Sequence, residues 1–86
     1  MRDLQEKVKN FCEDHNLTSS SQIRLIDTIS ELGEVAKELL LSSDYGKRTT
    51  KNNDRIEEEI GDTIFSLIAL SNSFEIDMEE IGRAHV

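Results

Sequence analysis

Apolar residues recur along this chain at helical spacing rather than in the strict alternation of a half-buried strand. Leu4, Val8, Phe11 and Cys12 fall at i, i+4, i+7 and i+8, which predicts an amphipathic helix over residues 3–15 with Asp3 as its N-cap. Asn16 to Ser21 is polar and reads as a connector whose serines can cap the next helix. That second helix is expected from about Ser21 to Leu41, with Leu25, Ile29, Leu32, Ala36, Leu39 and Leu40 on its apolar face. Residues 42–53 hold Ser, Asp, Gly, Thr, Asn and three basic side chains, the composition of a loop. A third helix should run from near Asp54 to near Asn72. Asp77 then opens a short fourth helix, with Glu80 completing a capping box. The pattern predicts an all-α fold, a compact four-helix bundle in which residues 1–86 form a single domain.

Composition narrows this picture. A chain of 86 residues can bury only about 60% of its unfolded surface. With 36% hydrophobic residues it has one modest core, so burial against a second copy is expected. The absence of proline suits helices. Eighteen acidic residues against ten basic give a net charge of −8, which repels phosphate backbones and argues against binding a nucleic-acid polymer. An acidic protein acting on an anionic substrate needs cations between the two, which points toward metal. The single Cys12 cannot form an intrachain disulfide and lies on the first helix's apolar face, so it reads as a core residue in a reducing compartment. No secretory leader is apparent and no apolar run approaches the roughly 20 residues that span a bilayer, so a cytoplasmic protein without a membrane partner is expected.

One internal similarity carries chemistry. Glu31-Leu32-Gly33-Glu34 on the second helix recurs 28 residues later as Glu59-Ile60-Gly61-Asp62 on the third, and Ala36, Leu39 and Leu40 match Ile64, Leu67 and Ile68 in the same register. Two helices joined by a loop of roughly 12 residues should pack antiparallel, which brings the motifs face to face. Carboxylates three apart share one side of a helix. Two facing pairs repel unless a cation sits between them, and hard oxygen donors suit Mg²⁺ or Mn²⁺.

Each helix also admits a plainer account. Asp27, Glu31, Glu34 and Glu38 lie within about 60° of arc opposite the apolar face, as a solvated acidic face would. The third helix is apolar nearly all round except for Arg55, Glu59, Asp62 and Ser66, so it should be buried, and its acids need a partner. A cation is one such partner; Arg55, one turn before Glu59, is the other. Gly33 and Gly61 occupy equivalent places inside helices, where each costs about 1 kcal/mol relative to alanine. They suggest close backbone approach or room for a ligand.

The ordered pair Glu31-x-x-Glu34 and Glu59-x-x-Asp62, in the contexts ISELGEVAKELL and RIEEEIGDTIFSLIALSNSFEIDMEEI, resembles the signature of the MazG-like all-α nucleotide pyrophosphatases. The resemblance covers most of residues 20–82. It implies a four-helix core assembled as a homodimer or a dimer of dimers, with Mg²⁺ (or Mn²⁺) held by Glu31, Glu34, Glu59 and Asp62. It also implies hydrolysis of nucleoside triphosphates between the α- and β-phosphates, giving monophosphate and pyrophosphate in a house-cleaning role. One of the four acids, or Glu38 or Glu58, would orient the attacking water. Arg55 stands where many relatives carry a basic residue and is a phosphate contact; Lys47, Arg48 and Lys51 in the loop are further substrate-binding candidates. Relatives usually continue into a basic segment beyond the fourth helix, whereas this sequence closes on Gly82-Arg83-Ala84-His85-Val86.

Three other readings stay open. A helical oligomerisation or interaction protein without activity predicts no metal dependence. Phosphoribosyl-ATP pyrophosphatase has related architecture but typically a His shortly after ExxD, where this chain has Thr63-Ile64-Phe65-Ser66. A di-iron bundle uses Glu-x-x-His pairs, and neither His15 nor His85 follows a Glu at that spacing.

Overall fold

Three of the four helices begin at a side chain that accepts one of their otherwise unpaired amides. In the computed structural model, which describes residues 1–86, these are α1 (Arg2–Asp14), α2 (Ser21–Ser42), α3 (Asp54–Ser73) and α4 (Met78–Ala84), with no strand. Ser20 caps α2 by accepting the Ile23 amide at 3.2 Å, and Asn53 caps α3 by accepting that of Ile56 at 3.0 Å. Asp77 accepts both the Glu79 and Glu80 amides at the start of α4, and Glu80 makes no reciprocal bond, so this is a cap without the box. At α1 the cap position is Met1, which accepts nothing through its side chain. Asp3 lies in the first turn instead, where its charge favours the positive helix end.

The helices stop where the backbone turns left-handed, at Asn16 (φ 55°), at Asp44, Tyr45 and Gly46, and at Glu75 (φ 55°). The α2–α3 connection therefore doubles back, and the two long helices form the most extensive pairing in the chain. Ser21 at the start of α2 and Ser73 at the end of α3 share a 2.8 Å hydrogen bond, which marks the far end of an antiparallel pair. α1 packs on α3, and Val8, Cys12, Ile68 and Ala69 form the buried core there, with Phe65 and Met78 against it. Ile68 is fully buried. The Phe65 ring meets Phe11 edge-on with centroids 5.9 Å apart. Gln5, also buried, pins α4 to this core: its amide donates to Asn72 Oδ1 and to the Ile76 carbonyl, and its Oε1 accepts the Met78 amide.

The sidedness of α2 reverses the expectation. Every helical position of α2 that is shielded from solvent is small, polar or acidic apart from Val35: Thr28, Glu31, Val35, Glu38 and Ser42, preceded by Ser21 and Arg24. With the same 28-residue offset as the sequence repeat, they align with Ile56, Glu59, Thr63, Ser66 and Leu70, all shielded on α3. The seam between the long helices thus has a heptad-like spacing and carries acids inside. The large aliphatics of α2 face outward, Ile29 at 62% and Leu32 at 57% exposure, because α3 is the only helix of the chain packed extensively against α2. Ile60, Ile64 and Leu67 on α3 are likewise open, so the all-round burial expected of α3 is confined to its α1 and α2 sides. A Cβ on Gly33 or Gly61 would meet nothing within 4 Å; neither glycine marks close backbone approach within the chain.

Candidate metal centre

Glu31 stands on the α2 side of the seam, and Glu59 and Asp62 stand one turn apart on the α3 side. Each offers a carboxylate oxygen, and the three oxygens lie within 4.8 Å of one another. Glu31 and Glu59 are half-buried and Asp62 is exposed, so the cluster opens from the seam to solvent. None of the three makes an ion pair; Arg55 does not reach Glu59 as the salt-bridge account required. Burial pushes the Glu31 carboxyl above its ordinary range, and the charges of Asp62, Glu59, Glu34 and Asp27 push it the same way. The α2 acids are therefore not a purely solvated face.

Glu34 is exposed and outside this group of three, although Asp62, at the matching place on α3 and also exposed, belongs to it. Glu34 acts on Glu31 through its charge. Glu38, two turns beyond Glu31, lies back in the seam but is occupied: Ser42 donates to its Oε1 at 3.0 Å, and the Arg55 Nε stands 3.9 Å from its Oε2. Glu58 is exposed on the outer side of α3, away from the cluster. The loop that joins the helices closes the same end of the seam. There Arg48 donates to the Ser42 carbonyl at 3.3 Å and so helps to satisfy the end of α2, while Lys47 and Lys51 are exposed and form no ion pair.

The donor set fits a hard divalent cation. Oxygens that share one Mg²⁺ at about 2.0–2.1 Å are at most roughly 4.2 Å apart, a spacing these side chains reach by small rotations. Three carboxylates leave coordination positions for water and phosphate oxygens, the way Mg²⁺ is commonly bound beside phosphorylated substrates. No nitrogen or sulfur donor belongs to the cluster, which disfavours zinc.

Comparison with known proteins gives one informative likeness. The chain is 34% identical to the uncharacterized protein YpjD of Bacillus subtilis (strain 168) over 84 residues, which cover 93% of this chain and 74% of that protein. No family model matches the chain, and no solved structure matches it. No helix is long and apolar enough to cross a membrane.

Proposed function

The chain belongs to the family of Bacillus subtilis YpjD, and we propose that it is a MazG-like pyrophosphohydrolase that cleaves (deoxy)nucleoside triphosphates, with Mg²⁺, into monophosphate and pyrophosphate. It would do so as a homodimer or homotetramer in the cytoplasm, clearing unwanted nucleotides. The observation that carries this reading is the convergence of Glu31, Glu59 and Asp62 from two matching motifs onto one small volume without a basic partner. Burial, and after it the like charges gathered there, raise the Glu31 carboxyl, and a cation would relieve that repulsion.

In this reading Glu31, Glu59 and Asp62 would hold the metal, with Glu34 as the fourth carboxylate at the rim. A bound Mg²⁺ would supply charge neutralisation to the phosphates and acidify a coordinated water. Glu38 serves as the anchor of Arg55, which it keeps at the seam one helical turn (about 6 Å along α3) from Glu59 and two turns (about 10 Å) from Asp62. That span suits a guanidinium meeting the outer phosphates of a chain whose reacting phosphorus lies at the acids. Lys47 and Lys51, unpaired at the same end, add positive charge along that path.

The direct test is release of pyrophosphate from a panel of canonical and modified triphosphates, with and without Mg²⁺ and with Mn²⁺ as substitute. Metal-dependent release with monophosphate as co-product is expected. A folded protein that releases none from any member of the panel, phosphoribosyl-ATP included, would refute it.

A further inference from the structure

Of the ten basic residues in this chain, Arg24 alone is shielded from solvent. It stands half-buried on the seam side of α2, and in a sequence with eighteen acidic residues it forms no ion pair. Its Nη2 donates to the Leu17 carbonyl, which takes one edge of the guanidinium and leaves its charge without a carboxylate. Arg2, Arg55 and Arg83 are all exposed, yet they pair with Asp77, Glu38 and Glu79. Drawing a cation out of water costs free energy that an opposite charge normally offsets. For Arg24 the chain supplies none.

The Arg24 side chain lines a cavity of about 190 Å³ bounded by α1, the α1–α2 connector, the start of α2 and the end of α3. Buried Cys12 and Ala69 make its apolar part. Around them stand Lys9, which is also without an ion pair, and the hydroxyls of Thr18 and Ser19, which bond to nothing else in the chain. Glu13 is the one acid of the lining, so the cavity is cationic on balance in a protein of net charge −8. A guanidinium fork, an ammonium and two hydroxyls brought together from three segments match the oxygens of a tetrahedral oxyanion. Pockets that enclose a drug-sized molecule begin at about 300 Å³. This one has room for a phosphate group and not for a whole nucleotide.

Its place separates it from the carboxylates. Arg24 precedes Glu31 on α2, and Ala69 follows Asp62 on α3, in each case by two helical turns or about 10 Å. Arg55 and the loop lysines lie at the other end of the seam.

We propose that this cavity is a binding site for one phosphate group, clamped by Arg24 and Lys9 and completed by the Thr18 and Ser19 hydroxyls. An anion held there ties the connector and the start of α2 to α1, and it supplies the counter-charge that Arg24 lacks. The site uses none of the residues assigned above to metal or substrate, so it stands or falls apart from the pyrophosphohydrolase.

The test is a titration of ¹⁵N-labelled protein with sodium phosphate in EDTA, which keeps divalent metal from gathering phosphate at the acids. Sodium chloride of equal ionic strength is the control for screening. Saturable shifts of the Thr18, Ser19, Arg24 and Ser73 amides are expected, with a dissociation constant of about 1 mM or tighter. Arg24→Met should weaken binding about 10- to 100-fold, the share of one charged hydrogen-bonding partner, whereas Arg55→Met should leave it unchanged. Should Arg24→Met fail to fold, Lys9→Met, at an exposed position, replaces it and should weaken binding at least about 3-fold. A nucleoside monophosphate titrated in the same way identifies the source: tighter binding at these amides means a phosphate ester with its nucleoside outside the cavity, weaker binding the free ion. Shifts that track ionic strength without saturating, shifts centred on Glu31, Glu59 and Asp62, or wild-type affinity in a folded Arg24→Met or Lys9→Met would overturn the site.

Discussion

Arg55 on α3 reaches across the seam to Glu38 on α2, Nε to Oε2 at 3.9 Å, although its guanidinium side chain is 69% exposed and that of Glu38 only 16%. A pair so open on its cationic side adds little to stability, at most about 1 kcal/mol. In the function proposed above, its use is to hold the guanidinium at the mouth of the seam. Arg55→Met should therefore leave the urea midpoint nearly unchanged while lowering kcat/KM for triphosphates by about 10- to 100-fold, mostly through KM. Unaltered kinetics in that variant would remove Arg55 from the substrate path.

The carboxylate cluster makes the opposite demand. Glu31 has its carboxyl raised by burial and by its acidic neighbours, so folding favours its protonated form. For such a group the stability it contributes is present at acid pH and lost as pH rises through the folded-state value. Metal-free protein should accordingly melt lower at neutral than at mildly acidic pH, and Mg²⁺ should restore the difference at neutral pH. Glu31→Gln and Glu59→Gln should both raise the Tm without metal, abolish the Mg²⁺-induced rise, and reduce turnover beyond the about 100-fold that loss of even an outer-shell partner costs. Thermal melts across pH, with and without Mg²⁺, check this, and a wild-type-like metal response in either variant would show the cluster is misassigned.

Helix bounds were legible from the sequence to within a residue or two, because apolar spacing, the capping serines before α2 and the Asp77 cap are local signals; the Asn53 cap of α3 was not read from it. The meeting of Glu31 with Glu59 and Asp62 was legible too, through the 28-residue repeat. The direction α2 faces was not. An acidic stripe opposite an apolar one looks solvated until the partner helix and its register are known, and on α2 Glu31 and Glu38 turn inward while Asp27 and Glu34 stay exposed. The available signal was the small or polar character of Thr28, Val35, Ser42, Thr63 and Ser66, which continue the repeat along the seam. Gln5 was hidden for a different reason: its three partners lie 67 to 73 residues away and leave no local trace.

Asp77 ties the two ends of the chain together. It caps α4 and accepts from Arg2 Nε at 2.7 Å, and the Arg2 hydrogen bond, followed by the α4 amides and the Arg2 charge, holds its carboxyl below the ordinary range against some burial. The sign is the reverse of that for Glu31. Its contribution is complete above the unfolded aspartate value and is lost as pH falls through the lower, folded one. Asp77→Asn keeps a capping oxygen and loses the ion pair, so it should flatten the acid limb of the pH–stability curve while α4 stays helical. An acid limb of unchanged steepness would place the titrating group elsewhere.

Gln5 offers the sharpest test of how the short α4 is held. Its side chain is the partner of the Met78 amide and of the Ile76 carbonyl, at 2.9 and 2.8 Å, in a part-buried site next to the core. Gln5→Leu fills similar space and adds apolar surface, yet it strands a backbone donor and a backbone acceptor. Each stranded group costs about 1–3 kcal/mol, more than one leucine recovers in a site already lined by polar atoms. A net loss of roughly 2–4 kcal/mol is expected, a large share of the 5–15 kcal/mol typical of a whole domain. Urea unfolding at fixed protein concentration should show a lower midpoint with an unchanged slope, and the Met78 and Glu79 amides should exchange faster. Glu6→Leu, one residue along on the exposed side of α1, should move the midpoint by no more than about 0.5 kcal/mol equivalent. If the two leucines behave alike, α4 is held by Arg2 and Met78 packing instead, and the buried amide network has no energetic role.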